Sequence, residues 1–322
     1  MAGYTDAPMR GMARRFGADI TYTEMISARA LVQGHKRTAS MLDGIDRGTN
    51  VVVQLMGTDP SVMAEAGAMA ESMGADGIDI NLGCAVRKIV RNGAGAALMR
   101  DPSRVGHIVR RVREAIRIPL SVKMRAGWDA ENRNAGEVAR IAEGNGVDAV
   151  AIHGRLASEG YRGQADWAVI RDLVETLAIP VVGNGDIRDS RDAEQMIRQT
   201  NCTAVMVGRA SLGNPWIFRS IQRERAGMQP LRVRPRERIE AAKQHLHAAH
   251  EAKGRRGVLA MRKHLSWYLR GFPGVREVRN RIHRMETVDG VMTELDCFVE
   301  RLRAWGGADL GREEDTSYAS EP

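Results

Sequence analysis

Short apolar runs recur along this chain, and between them apolar residues return at every third or fourth position. The first pattern predicts half-buried or buried strands and the second predicts amphipathic helices. Strands are expected at Ile20–Glu24, Val51–Gln54, Gly77–Asn81, Leu120–Lys123, Ala149–His153, Pro180–Asn184 and Ala204–Gly208. Helices are expected at Pro8–Phe16, Pro60–Met73, Pro102–Ile116, Glu137–Asn145, Ala168–Leu177 and Arg191–Gln199. A β-then-α alternation demands a parallel sheet. Almost every strand also ends at or beside a polar residue: Glu24, Gln54, Asn81, Lys123, His153, Asn184 and Arg209. In a (β/α)8 TIM barrel those tips converge on one face, where the chemistry of that architecture sits.

Seven strands are read where a closed barrel of this class needs eight. Met1 leads directly into Gly3-Tyr4-Thr5-Asp6, which reads as the loop after a strand. The first strand is therefore expected to be missing from this chain, either because translation starts further upstream or because the barrel lacks a stave. Beyond Phe218 the pattern turns purely helical, with segments at Arg236–Lys253, Val258–Leu269, Val275–Met285 and Thr293–Trp305. Gly254, Gly271-Phe272-Pro273-Gly274 and Gly290 are the expected breaks. Three parts follow: a barrel over 1–226, a helical bundle over 227–306 joined through Gly227–Arg234, and an acidic, disordered tail over 307–322.

Composition narrows the class. With 322 residues, 43% of them hydrophobic, the chain can bury a sizeable core. No run of about 18 apolar residues predicts a membrane span. Three widely spaced cysteines and no basic-then-apolar leader point to a reducing, cytoplasmic setting. The tail holds one Arg against five acids, so residues 1–306 carry 47 basic against 35 acidic side chains. Within 252–284 stand ten Lys or Arg and a single acid, Glu277. A solvated helical face accounts for many such runs. With His264, Trp267 and Tyr268 interleaved, a polyanion partner is the stronger reading.

Several tips carry candidate chemistry. Cys84 follows Asn81-Leu82-Gly83 at the end of the third strand, where a thiol is a candidate proton donor rather than packing. Lys123 needs an anion to compensate its charge at a barrel mouth; a reduced flavin supplies one, and Schiff-base chemistry is the competing role. Gln54 offers both donor and acceptor to a ring edge, and His153 can donate to a phosphate or a ring, a structural histidine being its plainer role. The last two strands run into Gly183-Asn184-Gly185-Asp186 and Gly208-Arg209, a pair of glycine loops suited to a phosphate. Cys202 and Cys297 read as packing residues.

Taken in order, Gly3-Tyr4-Thr5-Asp6, Asp79-Ile80-Asn81-Leu82-Gly83-Cys84, Val122-Lys123-Met124-Arg125, His153-Gly154-Arg155, Gly183-Asn184-Gly185-Asp186-Ile187 and Gly208-Arg209 with Gly213-Asn214-Pro215-Trp216 resemble the tRNA-dihydrouridine synthase family. Met261-Arg262-Lys263-His264-Leu265 with Trp267-Tyr268 resembles the C-terminal domain of its bacterial B-type branch. The likeness runs from Met1 to about Leu302. It implies an FMN enzyme, recharged by NADPH, that reduces the C5–C6 double bond of uridine in tRNA. By the family's pattern Cys84 is the proton donor to C5 while FMN N5 delivers hydride to C6. Gln54, Lys123 and His153 hold the flavin, Asn184, Gly185, Asp186, Gly208 and Arg209 its phosphate region, and Met1 and Ala2 end a segment lying against it. Asn81 is placed at the uracil or flavin edge. Arg125 and Arg155 are expected at the target nucleotide or a nearby phosphate, and Arg262, Lys263, His264 and Arg270 on the tRNA body. No metal or membrane partner is implied, and the chain is expected to act as a monomer.

A thiol with an ordinary pKa of about 8.5 remains protonated at neutral pH and can serve as the acid. A base inside folded tRNA must also leave its stack to reach a pocket. Two departures bear on this. Ala85 replaces the family's usual proline after the cysteine, and Leu156-Ala157-Ser158-Glu159 replaces its polar run after His-Gly-Arg. Two alternatives stay open at this level: an FMN oxidoreductase of a free pyrimidine, and a truncated, flavin-free tRNA-binding protein.

Overall fold

The computed structural model describes residues 1–45 and 47–306; the expected acidic tail lies outside the described residues. Two compact units emerge. One holds Met1–Arg10, Asp19–Ile187 and Arg191–Gly208, and the other Gly11–Ala18, Arg188–Ser190 and the described chain from Arg209 onward.

The first unit is built on parallel strands β1 (Thr21–Tyr22), β2 (Ile26–Ser27), β3 (Val51–Met56), β4 (Gly77–Leu82), β5 (Leu120–Arg125), β6 (Ala149–His153), β7 (Val181–Asn184) and β8 (Ala204–Met206). Strands β1 and β2 both pair with β3, Thr21 opposite Val51 and Ile26 opposite Leu55, so they are two halves of one stave. Their separation has a local cause, because the Gln54 N–H donates to Thr23 Oγ1 at 3.1 Å in place of a ladder carbonyl. The sheet runs in chain order from β1 to β8, a TIM-barrel-like arrangement of seven staves. Among the described residues no ladder joins β8 to β1. Residues at these two edges are correspondingly uncovered: Ile20 is 57% exposed and Ala204 is exposed.

Alternation along the strands separates two faces. Val51, Val53, Leu55, Val122, Met124 and Val181 are buried toward the surrounding helices. Each such side chain contributes roughly 1.5–3 kcal/mol of burial. Positions of the opposite parity, Val52, Gln54, Met56, Ser121, Lys123, Val182 and Asn184, are only half-buried although they lie within strands. On β4 and β6 the positions paired with them, Asp79, Asn81 and Ala151, are buried. Helices Pro60–Ser72 and Pro102–Ala115 start where Asp59 accepts the N–H groups of Ser61 and Val62 and where Asp101 accepts that of Arg104. Proline at the first turn of each loses nothing, since that N–H has no helical partner.

The second unit gathers helices Pro235–Lys253, Arg255–Tyr268, Val275–Ile282 and Val288–Gly306 around Leu246, Met261, Leu265, Tyr268, Leu295 and Phe298. Phe272 stands edge-on to Phe298 at 5.9 Å. Gly254 (φ 56°) separates the first two helices as expected. Gly290 does not break the last, which starts at Val288 rather than Thr293, because the Gly290 N–H is capped by Thr287 Oγ1 at 3.3 Å. The continuous C-terminal stretch of this unit runs from Arg209, so the boundary expected at residue 227 falls inside it. Helix Ile217–Arg225 is tied into it by Gln222 donating to the Gly17 carbonyl (2.9 Å), Arg219 donating to the Arg15 carbonyl (3.1 Å), and Phe16 packing edge-on to Trp216. Among the described residues no helix is long and apolar enough to cross a membrane.

Candidate active site at the strand tips

Cys84 stands just past the end of β4 in a turn made by Asn81. The Asn81 Oδ1 accepts the N–H groups of Cys84 (3.0 Å) and Gly83 (3.3 Å), a side-chain mimic of a backbone turn. The Cys84 carbonyl accepts the Ala96 N–H at 3.0 Å. Gly95 makes this approach possible: it has φ 63°, and a Cβ there would fall 2.6 Å from the Cys84 oxygen. Gly95→Ala is therefore expected to cost about 1–3 kcal/mol and to displace the thiol. Thermal unfolding together with the alkylation rate of Cys84 measures both effects.

Register places the lumen groups in layers. Gln54, Asp79 and Ser121 are paired across β3, β4 and β5, and Asn81 is paired with Lys123 one layer nearer the tips. Ser121 Oγ donates to Asp79 Oδ1 at 2.7 Å, Gln54 Nε2 donates to Asp79 Oδ2 at 2.8 Å, and Asn81 Nδ2 donates to Gln54 Oε1 at 3.0 Å. Lys123 Nζ donates to Asn184 Oδ1 at 2.9 Å, and Asn184 Nδ2 donates to the Met206 carbonyl at 2.7 Å. Asn184 thus bridges the lysine to β8 instead of reaching for a phosphate. Burial pushes Asp79 up to about 7 against the opposing pull of Ser121, Gln54 and Lys123. It pushes Lys123 down to about 8, against the attraction of Asp79. Burial, followed by the charge of Asp79, also raises the Tyr22 hydroxyl well above its ordinary value.

The Asp79 shift carries a definite sign. A carboxyl raised in the folded state binds its proton more tightly there than in the unfolded chain, so folding stability falls as pH rises from about 4 to about 7. Asp79→Asn is expected to remove that part of the slope. Urea midpoints for the two proteins at pH 5 and pH 7 test it, and parallel slopes would refute the assignment.

His153 is buried at the tip of β6, with Nε2 3.3 Å from Arg155 Nη1. An arginine only donates, so in this contact Nε2 is the accepting atom. Gly185 (φ 121°) lies against this ring, where a Cβ would come within 2.9 Å of His153 Cδ2. At Gly208 a Cβ would meet nothing within 4 Å. Met1 lies close enough to Glu24 and Lys123 to feel both charges, and burial, the largest effect, lowers its amino group to about 6. Ala2 is exposed, and the Gly3 N–H donates to Glu24.

Arg125 and Arg155 do not reach outward as expected. Arg125 is 5% exposed and donates to the carbonyls of Gly83 (2.8 Å), Leu156 (2.9 Å) and Gly160 (2.9 Å). Arg155 is 2% exposed; it donates to the carbonyls of Arg162 (3.0 Å) and Gly163 (2.6 Å) and pairs with Asp186 (2.8 Å). The two guanidiniums clamp the loop that follows β6, because their forked donors match several carbonyls at once. Asp186 also accepts the Ala165 N–H at 2.7 Å, so it too is committed within the protein rather than to a phosphate. Leu156 and Ala157 are buried beside this clamp.

In the helical unit His264 is 2% exposed, its ring 4.7 Å from that of His245, so it belongs to the core and not to an RNA surface. Arg262 is half-buried and donates to the Met285 carbonyl at 3.0 Å, and Lys263 is half-buried. Arg270 is exposed, its guanidinium 5.6 Å from the Trp267 ring centre. Arg209 is exposed at the start of a short 3-10 turn in this same unit. Asp79, Ser121 and Tyr22 were missed by sequence reasoning. A signal for two of them existed, since Asp79 shares the parity of Asn81, and Ser121 that of Lys123.

Polar side chains thus line the lumen beside a presented thiol. The family profile described as Dihydrouridine synthase (Dus) matches residues 1–303. The chain belongs to the dihydrouridine synthase family. It is 38% identical over 306 residues to tRNA-dihydrouridine synthase B of Pseudomonas aeruginosa, covering 94% of this chain and 92% of that protein. It is 37% identical to a probable tRNA-dihydrouridine synthase of Rickettsia conorii, covering 88% and 87%. Dihydrouridine synthases are flavin-dependent oxidoreductases. Among solved structures, histamine dehydrogenase from Rhizobium sp. 4-9 superposes with a TM-score of 0.51 at 15% identity, over 77% of this chain and 47% of that one. A 6-hydroxypseudooxynicotine amine oxidase from Pseudomonas geniculata gives 0.53 at 11%, over 71% and 46%. The chain spans about half the length of those two proteins, and the likeness speaks for the barrel-type fold alone.

Proposed function

We propose that this chain binds FMN in the lumen, is recharged by NADPH, and reduces the C5–C6 double bond of uridine in tRNA, with Cys84 as proton donor to C5. The observation that carries this reading is a connected polar layer within the sheet directly below the Cys84 turn, in which Gln54, Lys123 and Asn184 are half-buried and Asn81 is buried. A barrel that used its lumen only as core would fill it with interlocking apolar side chains. These residues fit a planar heteroaromatic group with carbonyl and ring-nitrogen edges. Gln54 and Lys123 would hold it, His153 would donate to it, and the glycine loops at Gly185 and Gly208 would lie at its phosphate end. Bound there, FMN supplies the hydride for C6 of the uracil.

What the protein's own residues do is more specific. Hydride addition builds negative charge on C5 and the C4 carbonyl, so an acid is required at C5. Cys84 is half-buried at the strand tips and can carry that proton. Arg125 holds the carbonyl of Gly83, one residue before the thiol, and thereby steadies the loop on which the acid rides. Lys123 places a positive charge beneath the site, where it favours electron-rich states of a bound ring. The target base must be extruded from its stack to reach this depth.

Supply of folded RNA falls to the basic helical unit, where Arg256, Arg270, Arg276, Arg279 and Arg284 are exposed. Phosphate contacts of this kind act on shape and charge rather than sequence. Joint replacement of Arg270 and Arg279 by alanine is expected to weaken tRNA binding and to lower the salt slope of log K by about 0.7–0.9 for each phosphate that is no longer neutralised. Filter binding across a salt series checks this, and an unchanged slope moves the binding surface elsewhere. The function as a whole is tested by incubating the purified protein with unmodified tRNA and NADPH. Mass analysis should then detect dihydrouridine, and a colourless protein that forms none removes the assignment.

A further inference from the structure

Hydrogen bonds run in a single direction from the Cys84 turn into the base of the lumen. The Cys84 N–H donates to Asn81 Oδ1 (3.0 Å), Asn81 Nδ2 to Gln54 Oε1 (3.0 Å), and Gln54 Nε2 to Asp79 Oδ2 (2.8 Å). Ser121 Oγ closes the far end on Asp79 Oδ1 (2.7 Å). A primary amide turned through a half-circle exchanges its acceptor for its donor, so an isolated Asn or Gln does not define its own orientation. Here the two ends of the chain remove that freedom. A backbone N–H can only donate, and a carboxylate with both oxygens accepting can only accept. Every link between them must point the same way.

We propose that Asp79 is a positioning residue for the proton donor, its buried acceptor oxygens orienting the amides of Gln54 and Asn81 so that Asn81 turns its carbonyl oxygen to the Cys84 turn. Asp79 need not touch the thiol, the flavin or the base to do this. Asn81 Oδ1 is filled by two N–H groups, so Asn81 offers a ligand the remaining hydrogen of its NH2, which suits a carbonyl oxygen or a ring nitrogen, whereas Gln54 offers one hydrogen and the second lone pair of Oε1. The cost of placing a carboxyl in this layer, visible in the upward push on Asp79, is offset in part by Lys123 and by the two donors it satisfies. A polar network of this kind is stabilising only while every member is satisfied.

The proposal rests on the assignment of Cys84 as the acid, and its test is read by hydrogen exchange of the full-length, flavin-containing protein at pH 8. In folded Asp79→Leu and Gln54→Met, the Gly83 and Cys84 amides are expected to exchange about tenfold faster than in wild type. Asp79→Asn should stay within about twofold, because its Oδ1 can still accept from Gln54 while its Nδ2 donates to Ser121 Oγ. A general loss of packing would instead speed exchange throughout β4 and would not be rescued by asparagine. Unchanged exchange at Gly83 and Cys84 in Gln54→Met overturns the proposal, as does Asp79→Asn behaving like the leucine variant. Should Asp79→Leu fail to fold, the glutamine and asparagine variants decide by themselves. No arm measures turnover, so a chain that made no dihydrouridine would leave these results standing, and a failed relay would leave the reaction assignment intact.

Discussion

Replacing Cys84 by alanine is expected to lower dihydrouridine formation by about 10²- to 10⁴-fold, while bound flavin and its reduction by NADPH stay at wild-type levels. The separation follows from where the thiol sits. The turn depends on the backbone of residue 84, whose N–H donates to Asn81 and whose carbonyl accepts from Ala96, and alanine keeps both. Only the proton at C5 is lost. The lumen groups proposed to hold the flavin, Gln54 and Lys123, form their own bonds to Asp79 and Asn184 and make none to the sulfur. Stopped-flow reduction by NADPH should therefore be unaltered in the variant, and mass analysis of the tRNA should show the deficit. Full turnover in Cys84→Ala would transfer the acid role to another group.

Lys123→Met is expected to weaken FMN affinity by about 10- to 100-fold, the usual consequence of truncating a charged hydrogen-bonding partner. Two losses act together in the lumen. Asn184 keeps its bond to the Met206 carbonyl but loses the donor at its own oxygen, and Asp79 loses the positive charge that opposes its protonation. Asp79 should then titrate above 7, so the deficit in stability is greater at pH 8 than at pH 5, where the carboxyl is protonated anyway. Fluorescence titration of flavin into the apoprotein measures the affinity, and the reduction potential of whatever flavin is retained should fall as well. Lys123→Arg is not expected to restore either quantity, since a planar fork cannot replace a compact ammonium at Asn184. Wild-type affinity and an unaltered potential in Lys123→Met would remove the lysine from the site.

Much of the barrel unit is legible in the chain because strand and helix patterns are local. The period-two runs locate all seven staves, and the break in the first is legible only once Thr23 is seen to intercept the Gln54 N–H from a strand away. Cys84 is likewise placed by its immediate surroundings, a strand tip followed by glycine and an Asn-made turn within three residues. Gly290 shows the opposite case, where a residue that usually interrupts a helix is absorbed into its first turn by a neighbouring threonine cap.

Charged residues are where a linear reading loses its footing. By itself the sequence determined which positions alternate, which polar residues stand at strand tips and that a thiol is presented there, since each depends on neighbours a few residues away. Tertiary structure alone decided that Arg125, Arg155 and His264 turn inward and that Asp79 anchors the relay. The same formal charge can face water or a set of carbonyls, and the partners that settle the matter lie 25 residues away for Gln54 and Asp79, 42 for Ser121 and Asp79, and 61 for Lys123 and Asn184. Only the strand register brings them within hydrogen-bonding distance, and a buried charge without such partners would be too costly to keep.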